Sequence, residues 1–362
     1  MAMRDGFFHL WYGEGYGEGY GEDMTIYNKL DGRKALVAGV GSALVDILIH
    51  EDDGFVEKAG AVKGGMTYVE KNDIDKTVAS ARQEPVVVPG GSACNTAVGI
   101  ARLGGRARFV GKCGDDGMGH LFRDDLSQQK VEPMLFGSAL PTGRVLSIIT
   151  PDAQRSMLTY LGASAETQPE EMKPACFDDA AIVHIEGYML FNRELFAAII
   201  SSAKQAGALI SLDLASFNVV EEAKDVLPGF VAQYVDILIA NEDEASAYTG
   251  TKDEGAALEQ LSRDVDIAVL KIGARGSRIA HGGRQILVAP YGDGSAVDTT
   301  GAGDLWASGF LFGLVNRWPL EECGQLGSIC GHAVCQVVGA NIPDEQWQTI
   351  RKSAGEKWRK RK

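Results

Sequence analysis

The segment VDTTGAGDLWASGF, residues 297–310, sets three small residues, Gly301, Ala302 and Gly303, directly ahead of Asp304 and an apolar run. Small residues at a helix start let the backbone approach a bulky group. The first turn of a helix also offers unpaired N–H groups and a partial positive charge, which suits an anion. Asp304 is itself an anion, a poor choice beside a phosphate unless the carboxylate has a task of its own.

Four other stretches carry candidate polar groups. In PGGSACNTAVGIARLGG (89–105), Gly90 and Gly91 form a turn and Asn95 follows about one helical turn later. An amide both donates and accepts, which suits a polyol; a tight turn with a capping residue is the plainer reading. Asp46 interrupts the apolar VDILI, either as a cap or loop aspartate or as an acceptor for substrate hydroxyls. NEDE (241–244) opens a helix, where its carboxylates complement the dipole or hold a hydrated Mg²⁺ near phosphates. KIGARGS (271–277) runs from a strand into glycines, with Lys271 and Arg275 beside them; it is either a β-turn or an anion loop.

Several chemistries are excluded. VAGVGSALVD (37–46) lacks the third glycine of a dinucleotide fingerprint, because Leu44 stands in its place. The histidines are scattered and no CxxC occurs, so no zinc site is expected; no Gly-x-Ser-x-Gly elbow supports a serine triad. The net charge of −14 argues against a nucleic-acid partner and requires an anionic substrate to meet local donors. Six cysteines within apolar stretches read as reduced thiols in a cytoplasmic protein, and no apolar run is long enough for a membrane span.

These groups need a frame. KALVAGVGSALVDILI reads as a buried strand and turn, and residues 50–70 as a small exposed sheet or hairpin. A helix over NDIDKTVASAR follows, then strand, Gly-Gly turn and helix over 86–105. GRVLSIITPDAQRSMLTYLG is a hairpin with Pro151 and Asp152 at its turn. Four apolar strands, AIVHIEG, ALISLDL, VDILIAN and DIAVLKIG, then alternate with helical stretches. The expected fold is α/β, a doubly wound, mostly parallel sheet with helices on both faces, over whose strand ends a small β-sheet lid projects. Lid insertions are expected at about 47–70 and 136–165 of a domain spanning 24–350. Residues 1–23, an aromatic, glycine and glutamate repeat, are set aside as a disordered leader or tag, and 351–362 as a basic solvated tail.

DTTGAGD before an apolar helix, together with PGGSACNTA, GKCGDDGMG and NEDE in this order, resembles the ribokinase-like (PfkB) family of ATP-dependent sugar and nucleoside kinases. The resemblance covers residues 34 to 350 and implies the fold just described. It implies that Asp304 is the catalytic base, taking a proton from the attacking hydroxyl, while Gly301, Ala302 and Gly303 free backbone N–H groups for the transferring phosphoryl group. It implies substrate-hydroxyl contacts at Asp46, Gly90, Gly91 and Asn95. On the nucleotide side it implies Asn241, Lys271, Gly273, Gly276, Thr300 and Ser328, with Glu244 holding Mg²⁺ through water. Asp298 and the Thr299–Thr300 backbone match the K⁺ site of some members. VDILIANEDEA with SLDLASF and HIEGYMLF looks more like adenosine kinases than ribokinases or fructokinases. Tyr160, Tyr188, Met189 and Phe191 would then serve a purine, or pack in the core, whereas Arg144 would favour a charged or highly hydroxylated sugar. A free-sugar kinase of ribose, fructose or 2-keto-3-deoxygluconate type is the alternative, and a non-catalytic ligand-binding regulator is the alternative of another class. Members of this kind are monomers or lid-mediated homodimers.

Overall fold

The computed structural model describes residues 25–30, 34–152 and 154–359; the leader set apart above lies outside the described residues. Its strands, in chain order, are β1 (Leu36–Val40), β2 (Leu44–His50), β3 (Met66–Tyr68), β4 (Val86–Gly90), β5 (Arg106–Gly114), β6 (Val131–Ser138) and β7 (Gly143–Ile149). The later ones are β8 (Arg155–Tyr160), β9 (Ala180–Glu186), β10 (Leu209–Asp213), β11 (Ile237–Asn241), β12 (Ile267–Lys271), β13 (Ser277–His281) and β14 (Arg284–Val288).

Among the described residues the main sheet is nine-stranded, in the order β14-β13-β12-β11-β10-β9-β1-β5-β6. It is parallel from β6 to β12 and antiparallel only at the β13–β14 edge. Strands covered on both faces read as continuous apolar runs, which is why AIVHI, LISL, ILIA and IAVL carry no alternation of polarity. Val37, Ile182, Ile237 and Val269 join one core layer; Ala38, Val183, Leu238 and Leu270 join the other. The Ala302–Val315 helix lies inside the first layer, packed on the Leu320–Cys335 and Ser92–Leu103 helices. The chain builds outward from β1 through β5 to β6, then returns to β9 and builds the other way, so the topological switch lies between β1 and β9. Ligands of open α/β sheets bind at the carboxyl ends there.

The second sheet has the order β3-β8-β7-β2-β4. It draws on residues 44–90 and 143–160, which corrects the expected insertion limits. The strand of 131–138 pairs with β5 in the main sheet, and β4, expected within the main alternation, pairs with β2. Residues 50–65 also differ from a hairpin. Asp52 accepts the Phe55 N–H at 2.9 Å and caps the Asp53–Lys58 helix, whose Phe55 and Val56 bury with Ile74 of the Lys71–Ala79 helix. They cover one face of the second sheet, on Ile47, Ile49, Leu146, Ile148 and Leu158. At the C-terminus the boundary at 350 falls inside a helix, Asp344–Arg359, anchored by buried Trp347 and Ile350. No described helix is long and apolar enough to cross a membrane.

Candidate active site

Four consecutive parallel strands end on polar side chains at the same edge. β9 ends at Glu186, β10 at Asp213, β11 at Asn241 and β12 at Lys271, and the register aligns Glu186 with Asp213 and Asn241 with Lys271. All four line a cleft of about 1040 Å³ between the strand ends and the uncovered face of the second sheet. The cleft is large enough for two small ligands side by side.

Asp304 sits in the first turn of the Ala302–Val315 helix and faces this cleft. Its Oδ1 accepts from Ser92 Oγ at 2.7 Å and its Oδ2 from Asn95 Nδ2 at 2.9 Å; Thr96 Oγ1 donates to its backbone carbonyl at 3.1 Å. Asn95, expected on substrate, therefore also orients Asp304. Burial raises the Asp304 carboxyl, opposed by the Asn95 and Ser92 hydrogen bonds and reinforced by Asp213. Gly301 supplies the left-handed residue at the helix start, φ +72°. Of the three amides expected in the anion hole, that of Ala302 is taken, donating to Thr299 O at 3.1 Å, while that of Gly301 has no partner among the described residues. The amides of Gly303 and Asp304 take no partner among the described residues.

Asp46 projects into the cleft from the middle of β2, where burial pushes its carboxyl to about 6, opposed by the charge of Arg155 and reinforced by Asp304 and Asp298. Gly90 lies beside it on β4, and a methyl group there would overlap its carboxylate. Gly91, at φ +97°, lines the cleft and starts the Ser92–Leu103 helix. On the other side Lys271 Nζ lies 2.8 Å from Asp213 Oδ2, and a methyl on Gly303 would stand 3.0 Å from Nζ. The ammonium is thus beside the free amides. Asn241 and Glu244 form a capping box, in which Glu244 accepts from Asn241 N at 2.8 Å and from Asn241 Nδ2 at 2.7 Å. Burial raises Glu244 to about 7, opposed by Lys271.

Thr300 and Asp298 also face the cleft. The Asp298 carboxylate accepts Thr300 N and Oγ1 at 2.9 and 2.6 Å and Gly339 N at 2.8 Å, bonds that hold its pKa below the usual range against burial. Besides Gly90, which backs Asp46, three expected nucleotide-side residues stand outside the cleft wall: Gly273, Gly276 and Ser328. The first two shape the turn from β12 to β13, where a methyl on Gly276 would overlap Val288 O. Ser328 is buried in the Leu320–Cys335 helix, its hydroxyl without a partner among the described residues.

Arg144 is a correction. It pairs with Asp75 of the Lys71–Ala79 helix at 2.9 Å and approaches Asp116 at 3.6 Å, on the covered side of the second sheet. The register explains this: Asp46 aligns with Val145 and Val45 with Arg144, so Arg144 lies on the face opposite Asp46. The cleft cation of the second sheet is Arg155 on β8, near both Asp46 and Asp298. Of the proposed aromatic and apolar residues, Tyr188, Met189 and Phe191 line the cleft and Tyr160 does not; Met66, Tyr68 and Met157 join them from the second sheet. Glu186, Asp213 and Arg155 were missed. The first two had a signal, since each is the charged last residue of an apolar strand in the sequence.

The description "pfkB family carbohydrate kinase" matches residues 56–347. The chain belongs to that family. It is an ATP-dependent sugar or nucleoside kinase. A fructokinase of Klebsiella pneumoniae is 30% identical over 271 residues, covering 70% of this chain and 87% of its own. The crystal structure of adenosine kinase from Sinorhizobium meliloti is 32% identical with a TM-score of 0.81, over 89% of this chain and 99% of that one. A probable sugar kinase from Rhizobium etli is equally similar, at 32% identity and a TM-score of 0.82, with the same coverage of 89% and 99%.

The buried acids make ligand-free stability depend on pH with a definite sign. Asp46 and Glu186, raised to about 6 and about 7 chiefly by burial, and Glu244 bind protons more tightly folded than unfolded. Stability therefore falls as pH rises through these values. His184, held at about 4 by burial, acts oppositely, its neutral form being lost from the unfolded chain as pH falls through the ordinary histidine range. The melting temperature of the ligand-free protein is expected to rise by roughly a few degrees from pH 8 to 6.5 and to go on rising toward pH 5, less steeply where His184 opposes the three carboxylates. A melting temperature constant or falling over pH 8 to 6.5 would show these carboxylates to be well hydrated.

Proposed function

We propose that the kinase transfers the γ-phosphoryl group of ATP to the hydroxymethyl group of a ribonucleoside, adenosine first among them. The carrying observation is the apolar wall opposite the acids. Tyr68, Met66 and Phe191 remain 52%, 37% and 50% exposed while facing the cleft. A ribose needs only the polar pole of Asp46 and Asp304; a purine ring gives those exposed apolar side chains something to cover. The similarity to the Sinorhizobium meliloti adenosine kinase supports the same reading. A free-sugar kinase is the second reading, favoured by the fructokinase relative.

In this mechanism Asp304 takes the proton of the acceptor hydroxyl as its oxygen attacks. The amides of Gly303 and Asp304, with the Lys271 ammonium, stabilise charge on the phosphoryl oxygens. Nucleophile and phosphorus must approach to about 3–3.5 Å, so base and anion hole have to be neighbours on one helix turn. Asp46 accepts hydrogen bonds from the sugar hydroxyls. Arg155, on the second sheet, adds positive charge between Asp46 and Asp298.

For Mg²⁺, no group of three or more His, Cys, Asp or Glu among the described residues could hold a metal unaided. Glu244 has both oxygens engaged by Asn241, which suits an ion that keeps its water and arrives with the nucleotide phosphates. Glu244 and Asp213 would hold that water shell. When bound there, the ion would supply positive charge that offsets the charge of the nucleotide phosphates.

ADP release from Mg-ATP, measured against adenosine, inosine, guanosine, ribose, fructose and 2-keto-3-deoxygluconate with Asp304→Asn as blank, tests the assignment. Turnover is expected with adenosine at far lower KM than with ribose. Turnover confined to a free sugar overturns the nucleoside reading. Ligand binding without any turnover favours a regulator.

A further inference from the structure

The chain crosses between the two sheets at several places, and two of these crossings are adjacent. Residues 41–43 lead from β1 of the main sheet into β2 of the second, and Gly91 leads from β4 of the second sheet into the Ser92–Leu103 helix of the body. Leu44 and Gly90 are paired, so the crossings run side by side. One carboxylate holds both. Glu186 Oε1 accepts the Ser42 N–H at 2.8 Å, and Oε2 accepts the Ala93 N–H at 3.1 Å. The fit is close, because a methyl group on Gly41 would overlap the carboxylate.

The helix begun by these residues is the one that orients Asp304, through Ser92 and Asn95. We infer that Glu186 is a positioning residue that couples the link between the two sheets to the setting of Asp304. The inference rests on Asp304 being the base proposed above. Glu186 is 2% exposed, and a buried carboxylate is a costly way to satisfy two amides unless the connection itself is used. Its two oxygens belong to one rigid planar group. Any shift of Ser42 relative to the body would therefore be transmitted to Ala93, and from there to Ser92 and Asn95. An acceptor that draws the second sheet toward the body would thereby also set the aim of the base.

Two substitutions disturb this contact from opposite ends. Glu186→Gln keeps the volume but turns an N–H group toward one of the two amides, and Gly41→Ala pushes a methyl group against the carboxylate. With the acceptor identified by the panel, each is expected to lower kcat at least about tenfold, the order of loss a misaimed catalytic group produces, with KM for Mg-ATP within about twofold. The double variant is expected to lose no more than the worse single one, because both break the same contact. A raised acceptor KM at unchanged kcat would make Glu186 a direct substrate contact and overturn the inference. A lowered melting temperature at unchanged kcat per folded molecule, or additive losses in the double variant, would overturn it too. Asp304→Asn is measured alongside. If it stays active, the base assignment fails and takes this inference with it; if it is inactive while both hinge variants match the wild type, the inference alone fails.

Discussion

Asp304→Asn is expected to lower kcat by at least about a hundredfold, the lower end of the range for a general base, with KM for Mg-ATP near the wild-type value. The substitution preserves shape and position in the first helical turn, so the amides of Gly303 and the following residue still face the phosphoryl group. What disappears is the acceptor for the hydroxyl proton. Asn95 and Ser92 donate to the two carboxylate oxygens, and an amide at 304 can satisfy only one of them without turning its own donors inward. Burial raises the Asp304 carboxyl, which brings a base closer to working pH. The same shift means that its ionised form disfavours folding, so the melting temperature of the variant should not fall through loss of charge. A steady-state assay beside a thermal melt reads both. A variant keeping most of its kcat removes Asp304 from the chemistry.

How much of this site was legible depended on what each residue's neighbours in sequence could reveal. The loop before Asp304 and the Gly90–Gly91 turn are local: a strand or helix boundary, small residues and one polar group stand together. The four parallel strands were equally plain from their apolar runs. Their last residues are visible too, but a charged residue that closes an apolar strand reads as part of the strand, so the sequence singles out Asn241 and Lys271 and not Glu186 and Asp213. Arg144 and Arg155 show a different limit. They occupy the two arms of one hairpin, and which of them meets substrate depends on side-chain parity relative to Asp46. That parity is set by the pairing of β2 with β7, a contact between segments about a hundred residues apart. Local alternation could not decide it, because helices cover one face of this sheet and a cleft the other. Ser328 shows a related limit: it lies buried outside the cleft wall, and helical phase alone does not tell a wall from the layer beneath it.

Lys271→Met is expected to combine a large loss of activity with a large loss of stability, and the two losses have different causes. In the wild type the ammonium sits among Asp213, Glu244 and Asp304, the carboxylates whose charges hold its pKa up against burial. Removing it leaves Asp213, only 5% exposed, without its ion-pair partner, and breaking a buried pair in this way costs about 3–5 kcal/mol. It also takes away the cation beside the Gly303 and Asp304 amides, and loss of one such transition-state contact lowers rates by about a hundredfold or more. Lys271→Met combined with Asp213→Asn separates the causes. The neutral amide no longer leaves a buried charge unpaired, so the melting temperature should recover much of what the single variant lost. Activity should not recover, because no cation has been restored to the phosphoryl site. If kcat/KM for Mg-ATP returns together with stability, Lys271 serves only to neutralise Asp213, and the charge on the transferring group must be met by the helix amides, Arg155 and the nucleotide's own metal.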